Sequence, residues 1–256
     1  MQSPITPTAP AILITGSAKR VGATIARTLH AAGANVIIHC NRSRAEADAL
    51  ASALNEVRAQ SAAVVQGDLR ASHTLKGLVD QAHACFGRLD GLVNNASSFH
   101  ATPLAKIGED DWQELMGSNL KAPLFLSQAA APYLRASKGS IVNIVDIHAE
   151  RPLPDFVVYN VSKAGLAGLT RALALDLGPE VRVNGVSPGA IMWPEIGHGD
   201  PNAYPAAERE RIVQQTPLKR VGSADDIAGA VKYLMLDAPY VTGQILAVDG
   251  GREIAL

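Results

Sequence analysis

Residues 11–22 read Ala-Ile-Leu-Ile-Thr-Gly-Ser-Ala-Lys-Arg-Val-Gly, and their reading decides the fold. Ala11–Thr15 is a short apolar run ended by Gly16, the pattern of a buried strand. From Ala18 to about Ala32 the chain is Ala-rich, with Val21, Ile25 and Leu29 four apart, so a helix follows at once. Gly33 closes that helix and Asn35–His39 is a second strand. The turn between the first strand and its helix lies where free backbone N–H groups at a helix N-terminus can meet a pyrophosphate. From position alone, a plain turn at a sheet edge reads the same way.

The alternation continues outward from this unit. Ser43 is placed to cap a helix running to about Ala59, with Glu46 at the reciprocal position. Strands are predicted at 62–66, 89–93, 140–145, 181–186 and 245–248. Helices are predicted at 72–86 (capped by Ser72), 111–135 (bent at Pro123), 156–177 and 223–236. The strands are apolar without a period of two, as expected when helices cover both faces of a parallel sheet. The expected architecture is a single Rossmann-type, doubly wound α/β domain over residues 11–256, preceded by a Pro-rich tail at 1–10. The stretch from Pro188 to Pro217 reads as long and irregular, and its 190–215 portion as a lid over a substrate.

Composition sets outer bounds. A chain of 256 residues buries about three quarters of its unfolded surface, so a core needs no metal or disulfide. Lys and Arg number 23 against 24 Asp and Glu, a balance that offers no footprint for nucleic acid or an anionic membrane. Cys40 and Cys85 match no metal spacing and fit a reduced, cytoplasmic protein. The first ten residues lack the basic and apolar regions of a signal peptide, and no run of 18 apolar residues exists to span a membrane. His39, His100, His148 and His198 share no spacing with acidic or thiol groups, so no metal is expected.

Chemistry-bearing residues gather after the predicted strands. The second strand ends in His39-Cys40-Asn41-Arg42-Ser43, without the acidic residue that binds the adenosine ribose and selects NAD. Arg42 offers a donor fork for a 2′-phosphate and Ser43 one more hydrogen bond, so NADP(H) is favoured. Asp68-Leu69 follows the third strand and Asn94-Asn95-Ala96-Ser97 the fourth. Asp146 stands just past the fifth, where open parallel sheets place function, although an Asp there also serves as a turn cap. Tyr159 and Lys163 are i and i+4 on one helix face. The ammonium of Lys163 lowers the phenol pKa, making Tyr159 a usable proton donor.

These motifs resemble the short-chain dehydrogenase/reductase family over nearly all of the chain. Thr15-Gly16 and Gly22 fit its glycine-rich turn, with Arg20 in the position of its middle glycine. Tyr159 and Lys163 fit its catalytic pair, and Asn119 in the preceding long helix fits its supporting Asn. The resemblance implies that the cofactor is met by Gly16, Lys19, Arg20, Val21, His39, Asn41, Arg42, Ser43, Asp68, Leu69, Asn95, Ala96, Ser97, Tyr159, Lys163, Pro188 and Gly189. Two positions depart from the common pattern: Asp146 replaces a serine that hydrogen-bonds a substrate carbonyl, and Arg20 replaces a glycine. Both departures, together with Asn-Asn-Ala-Ser-Ser-Phe-His at 94–100, resemble the pteridine reductases. That branch implies an NADPH-dependent reduction of a C=N bond in a pterin or dihydropterin, with dihydrofolate a further substrate. Arg20, Ser97, Phe99, Asp146, Tyr159 and Trp193 would then face the substrate, with Phe99 stacked on the pterin. Asp146 would help Tyr159 protonate a ring nitrogen. The family also implies a homotetramer, with helices 111–135 and 156–177 at one interface. A short-chain carbonyl reductase acting on a 3-oxoacyl thioester and a non-catalytic NADP-binding sensor are the rival expectations.

Overall fold

The computed structural model describes residues 9–191 and 205–255. Most of the expected tail at 1–10, the middle of the expected lid and Trp193 lie outside the described residues.

The first apolar run is strand β1 (Ala11–Ile14), and every one of its residues is buried. Ile12 and Ile14 point into one core while Ala11 and Leu13 point into another, because successive side chains leave a strand on opposite sides. The first core is closed by Ile25 and Leu29 of α1 (Arg20–Ala31), Leu50 of α2 (Arg44–Val57), and Ile227 and Val231 of α8 (Ala224–Lys232). The second is closed by Leu78 of α3 (Leu75–Phe86), Leu126 and Leu134 of α5 (Ala122–Ser137), and Leu177 at the end of α6 (Val157–Leu177). Each such side chain contributes about 1.5–3 kcal/mol on burial. Two covered faces explain why the strands carry no alternation of polar residues.

The remaining strands are β2 (Asn35–Cys40), β3 (Ala62–Gln66), β4 (Gly91–Asn94), β5 (Ser140–Ile144), β6 (Arg182–Pro188) and β7 (Ile245–Val248). All pair in parallel, in the order β3-β2-β1-β4-β5-β6-β7. The expected doubly wound sheet is therefore present. The chain runs from β1 outward to β3, then returns to build the other half from β4. At Ile14, β1 is flanked by Ile38 on one side and Val93 on the other. Helices diverge at this reversal, and the crevice outside the strand C-termini is where such folds bind ligands.

Several local features differ from the sequence reading. Ser43 makes no side-chain cap bond at α2, and Glu46 pairs instead with Lys19 across the first turn. The predicted helix 111–135 is α4 (Glu109–Met116), a π-helical turn at Gly117–Lys121, and α5. Pro123 has no N–H to give the carbonyl of Asn119, and the helix passes this point with Ala122 N–H bonded to Gly117. The stretch 188–217 is not wholly irregular: α7 (Ala206–Gln215) buries Ile212 and pairs Glu208 with Arg211 one turn away. The chain closes with α9 (Arg252–Ala255).

The glycines of the first turn are needed for close approach. A Cβ on Gly22 would lie 2.5 Å from the Gly16 carbonyl oxygen and 2.6 Å from Asn95 Nδ2. Gly22→Ala is therefore expected to destabilise the fold by about 1–3 kcal/mol, as overpacking against backbone does, read as a lower urea midpoint at unchanged slope.

Candidate active site

The first turn is fixed from three directions. Gly16 adopts φ +62°, and its N–H donates to Nδ1 of His39 at 3.1 Å. Its carbonyl accepts from Asn95 Nδ2, which also bonds the Thr15 carbonyl. The Thr15 hydroxyl accepts the backbone N–H of Asn95 at 2.9 Å and of Ala96 at 3.0 Å. Arg20 sits in the left-handed region at φ +52°, a conformation that suits the family's glycine and strains an arginine. No side chain caps the N-terminus of α1, so its first amides face the crevice.

His39 acts behind this turn rather than on its face. It is buried, and its Nε2 lies 3.1 Å from the Gly67 carbonyl oxygen. With Nδ1 accepting from Gly16, Nε2 must carry the proton, so the ring is neutral. Burial pushes its pKa down to about 4, against the pull of the Gly67 carbonyl and Asp68. The His39 ring thereby ties the first turn to the segment after β3.

Asp146, Tyr159 and Lys163 converge from two elements. Asp146 follows β5 with its backbone extended, and one carboxylate oxygen caps a short 3-10 turn by accepting His148 N–H at 2.9 Å. The other accepts the Tyr159 hydroxyl at 2.8 Å. Cap and partner are therefore both true of Asp146. Lys163, buried one turn along α6, donates to the Ile144 carbonyl at 2.9 Å and lies 5.7 Å from the Tyr159 ring centre. Burial lowers the Lys163 pKa to about 8, with the Asp146 charge acting the other way.

Asn119 lies in the π-helical turn, buried, with its amide oxygen accepting Ser98 N–H at 2.9 Å and the Ser97 hydroxyl at 3.1 Å. Its Nδ2 donates to Ser98 O and to Ser162 Oγ, and Ser162 in turn bonds the Tyr159 carbonyl. Asn119 so ties the loop after β4 to the backbone beneath Tyr159. The Ser97 hydroxyl is within hydrogen-bond reach of Asn119 Oδ1 at 3.1 Å and of the Ser98 carbonyl at 3.4 Å. Phe99 stacks one face on Phe156 at 4.6 Å and meets Tyr159 edge-on at 4.8 Å. One face at most remains for a substrate.

One cleft of about 680 Å³ joins these parts. Gly16, Lys19, Arg20 and Val21 form its floor on one side, and Asn95, Ala96, Ser97 and Phe99 the middle. Asp146, Tyr159, Lys163, Pro188 and Gly189 form the other side. Ile144, Val145, Ile191 and Ile227 also line it, apolar residues that no motif marked. Asn41, Arg42 and Ser43 stand outside it, at the end of β2, with Arg42 exposed. Asp68 follows β3 and is held by Arg70 at 2.9 Å, which keeps its carboxyl below the usual range; Leu69 turns into the core.

Comparison with known proteins decides the family. A family model described as enoyl-(acyl carrier protein) reductase matches residues 16–253. Pteridine reductase 1 of Leishmania tarentolae is 38% identical, over 97% of this chain and 98% of that protein. A Streptomyces violaceoruber protein named as ketoacyl reductase 2 of the granaticin polyketide synthase is 40% identical, over 97% and 98%. A 3-oxoacyl-(acyl-carrier-protein) reductase of Staphylococcus epidermidis is 32% identical, over 93% and 97%. The chain belongs to the short-chain dehydrogenase/reductase family. It is an oxidoreductase, and members of this family use NAD(P)(H). The short-chain reductase cleft fits such a dinucleotide: an uncapped helix N-terminus faces it at the β1/β4 reversal, and Lys163 stands at its far end. No described helix is long and apolar enough to cross a membrane.

The buried neutral His39 sets a pH dependence. Its folded pKa lies below its unfolded value, so the unfolded chain binds more protons between pH 4 and 6.5 and stability falls as pH drops through that window. Unfolding titrations at pH 7 and pH 5 are expected to show about 2 kcal/mol more loss in the wild type than in His39→Gln.

Proposed function

We propose that this reductase is an NADPH-dependent pteridine reductase, adding hydride to a C=N bond of a pterin or dihydropterin. Dihydrofolate is included in the proposed substrate range. The observation that carries this reading is the 2.8 Å hydrogen bond from the Tyr159 hydroxyl to the Asp146 carboxylate, inside the cleft shared by Arg20, Ser97 and Phe99. A carboxylate beside the proton donor disfavours an oxyanion forming from a carbonyl. It suits a ring nitrogen, which is basic enough to take up its proton as hydride arrives, so that positive charge develops beside the carboxylate.

The bound cofactor supplies the hydride. Around it, the turn amides of α1 with Lys19 and Arg20 hold the pyrophosphate, and Asn95, Ala96, Pro188 and Gly189 flank the nicotinamide. The Lys19–Glu46 pair is about half exposed, so exchanging Glu46 for a phosphate costs little. Lys163 holds the nicotinamide ribose and keeps positive charge near the phenol. Tyr159 delivers its proton to the substrate nitrogen, and Asp146 orients that hydroxyl. Phe99 presents its free face to a flat heterocycle, and Ser97 and Arg20 hydrogen-bond its polar edge. Trp193 is assigned to the substrate side on the sequence alone.

Arg42 and Ser43 select NADPH by binding the 2′-phosphate, with Asn41 beside them and Asp68 toward the adenine. The protein acts in the cytoplasm, a reading supported by the free thiols Cys40 and Cys85. We assign a homotetramer by family analogy; exposed Leu124 on α5 and Val161 on α6 support an interface there. The second reading, a 3-oxoacyl reductase, draws on the 40% identity with the granaticin relative.

One assay separates the two. NADPH oxidation is followed with dihydrobiopterin, dihydromonapterin, dihydrofolate, biopterin and a β-ketoester in parallel. Pterin turnover is expected, and Asp146→Ser should lower it by about a hundredfold while sparing any ketoester activity. Equal pterin rates in the variant rule the assignment out. For the cofactor, Arg42→Asp is expected to raise the KM for NADPH by about ten- to a hundredfold and leave NADH little changed, the effect of losing one charged hydrogen bond. An unaltered preference removes Arg42 from the phosphate site.

A further inference from the structure

Asp146 and Val145 form a partition between two cavities. On one side is the cleft with Tyr159 and Lys163. On the other is a rear cavity of about 430 Å³, lined among others by Glu150, Arg151, Ala167, Arg171, Ala247 and Glu253. Two acidic and two basic side chains give this rear cavity a polar wall, and its volume holds several waters. In the single chain its rim opens to solvent where Arg171 and Glu150 face each other at 3.9 Å with side chains 57% and 60% exposed. Arg151 is steadied by donating to the Glu253 carbonyl. The catalytic cleft and the solvent therefore meet at one carboxylate, approached from opposite sides.

We propose that solvent protons reach Asp146 through this rear cavity, so that the Asp146–Tyr159 pair is recharged from behind while reactants fill the cleft. The proposal rests on the pairing of Asp146 with Tyr159 in proton delivery put forward above. Each C=N reduction places a hydride from the reduced nicotinamide on carbon and a proton on nitrogen. Tyr159 breaks its O–H bond to supply that proton. The phenolate left beside the Asp146 carboxylate makes a pair of like charges, and the pair's proton affinity rises. One proton from a rear-cavity water passes to Asp146 and on to the phenolate, and bulk buffer neutralises the hydroxide. The starting state returns with one solvent proton consumed.

The charged and titratable groups around Asp146 come from four places. Tyr159, Lys163 and Arg171 project from α6, and His148, Glu150 and Arg151 from the segment after β5. Glu253 comes from α9 and Arg20 from the far wall of the cleft. Of these, Glu150 and Arg171 form the solvent-exposed rim. The rim pair offers a place for water to exchange with bulk, and neither residue lines the front cleft.

Two variants of the full-length protein test this: Ala247→Phe, which fills the rear cavity from the β7 side, and Arg171→Met, which makes its rim apolar. The first-turnover hydride transfer, read at the nicotinamide absorbance, is expected at the wild-type rate in both. Steady-state turnover should fall about tenfold, the low side of what positioned proton transfer contributes, with a larger solvent isotope effect and rescue by imidazole buffer. A high-resolution crystal structure of the wild type should show waters continuous from Asp146 to the Glu150–Arg171 rim. Unchanged turnover and isotope effect in both variants, or a dry rear cavity, overturns the proposal. The kinetics run on whichever substrate of the panel the wild type reduces. Loss of the pterin reading alone appears as ketoester turnover without pterin turnover, and the water arm needs no substrate.

Discussion

The Thr15 hydroxyl is the point on which the two halves of the sheet depend. Beyond Ile14 the ladder between β1 and β4 ends, and the chains must part to make room for a ligand. Thr15 carries the connection past that point by accepting the N–H groups of Asn95 and Ala96 and donating to the Val93 carbonyl. A hydroxyl is suited to this work because it accepts twice and donates once from a single atom. Asn95 returns the favour through its side chain, bonding the carbonyls of Thr15 and Gly16. The crevice is open, yet its two lips are rigidly related. Each group placed on one lip is therefore held in register with groups on the other.

Charge is arranged within that frame by burial more than by pairing. Lys163 is buried, with its pKa down to about 8, and its nearest strong acceptor is a backbone carbonyl. Asp146 keeps a cap bond and a phenol bond at once. Lys163, Asp146 and Tyr159 are thus held together in fixed geometry, with apolar Ile144, Val145 and Ile191 around them and Lys19 and Arg20 elsewhere in the same cleft. Electrostatic interactions in such surroundings are stronger than in water, and little reorganisation is needed when a proton moves.

Much of this was legible in the sequence because it depends on patterns that survive without neighbours. Apolar runs without alternation announced a sheet covered on both faces. Tyr159 and Lys163 share a helix face by spacing alone, and Asp146 falls at a strand end by position. What escaped depends on contacts across the fold. Nothing local marks His39 as the acceptor for Gly16, since its partners come from β1 and from the turn after β3. Glu46 follows a capping pattern but is drawn away by Lys19, which approaches only once α1 is in place. Phe156 takes one face of Phe99, a contact between distant segments. The helix α7 is hard to read from sequence because its charged surface leaves only a thin apolar signal at Ile212.

The π-helical turn at Gly117–Lys121 has a consequence for the phase of the long helix that contains it. A regular helix advances about 100° per residue, so one extra residue rotates everything after it relative to everything before. Ahead of the turn, Leu115 faces the cluster around Tyr159; after it, Leu126 and Leu134 face the sheet. The inserted residue lets one continuous helix serve two masters that a uniform winding would place out of step. A single deletion in this stretch would mend the helix and misalign its two halves.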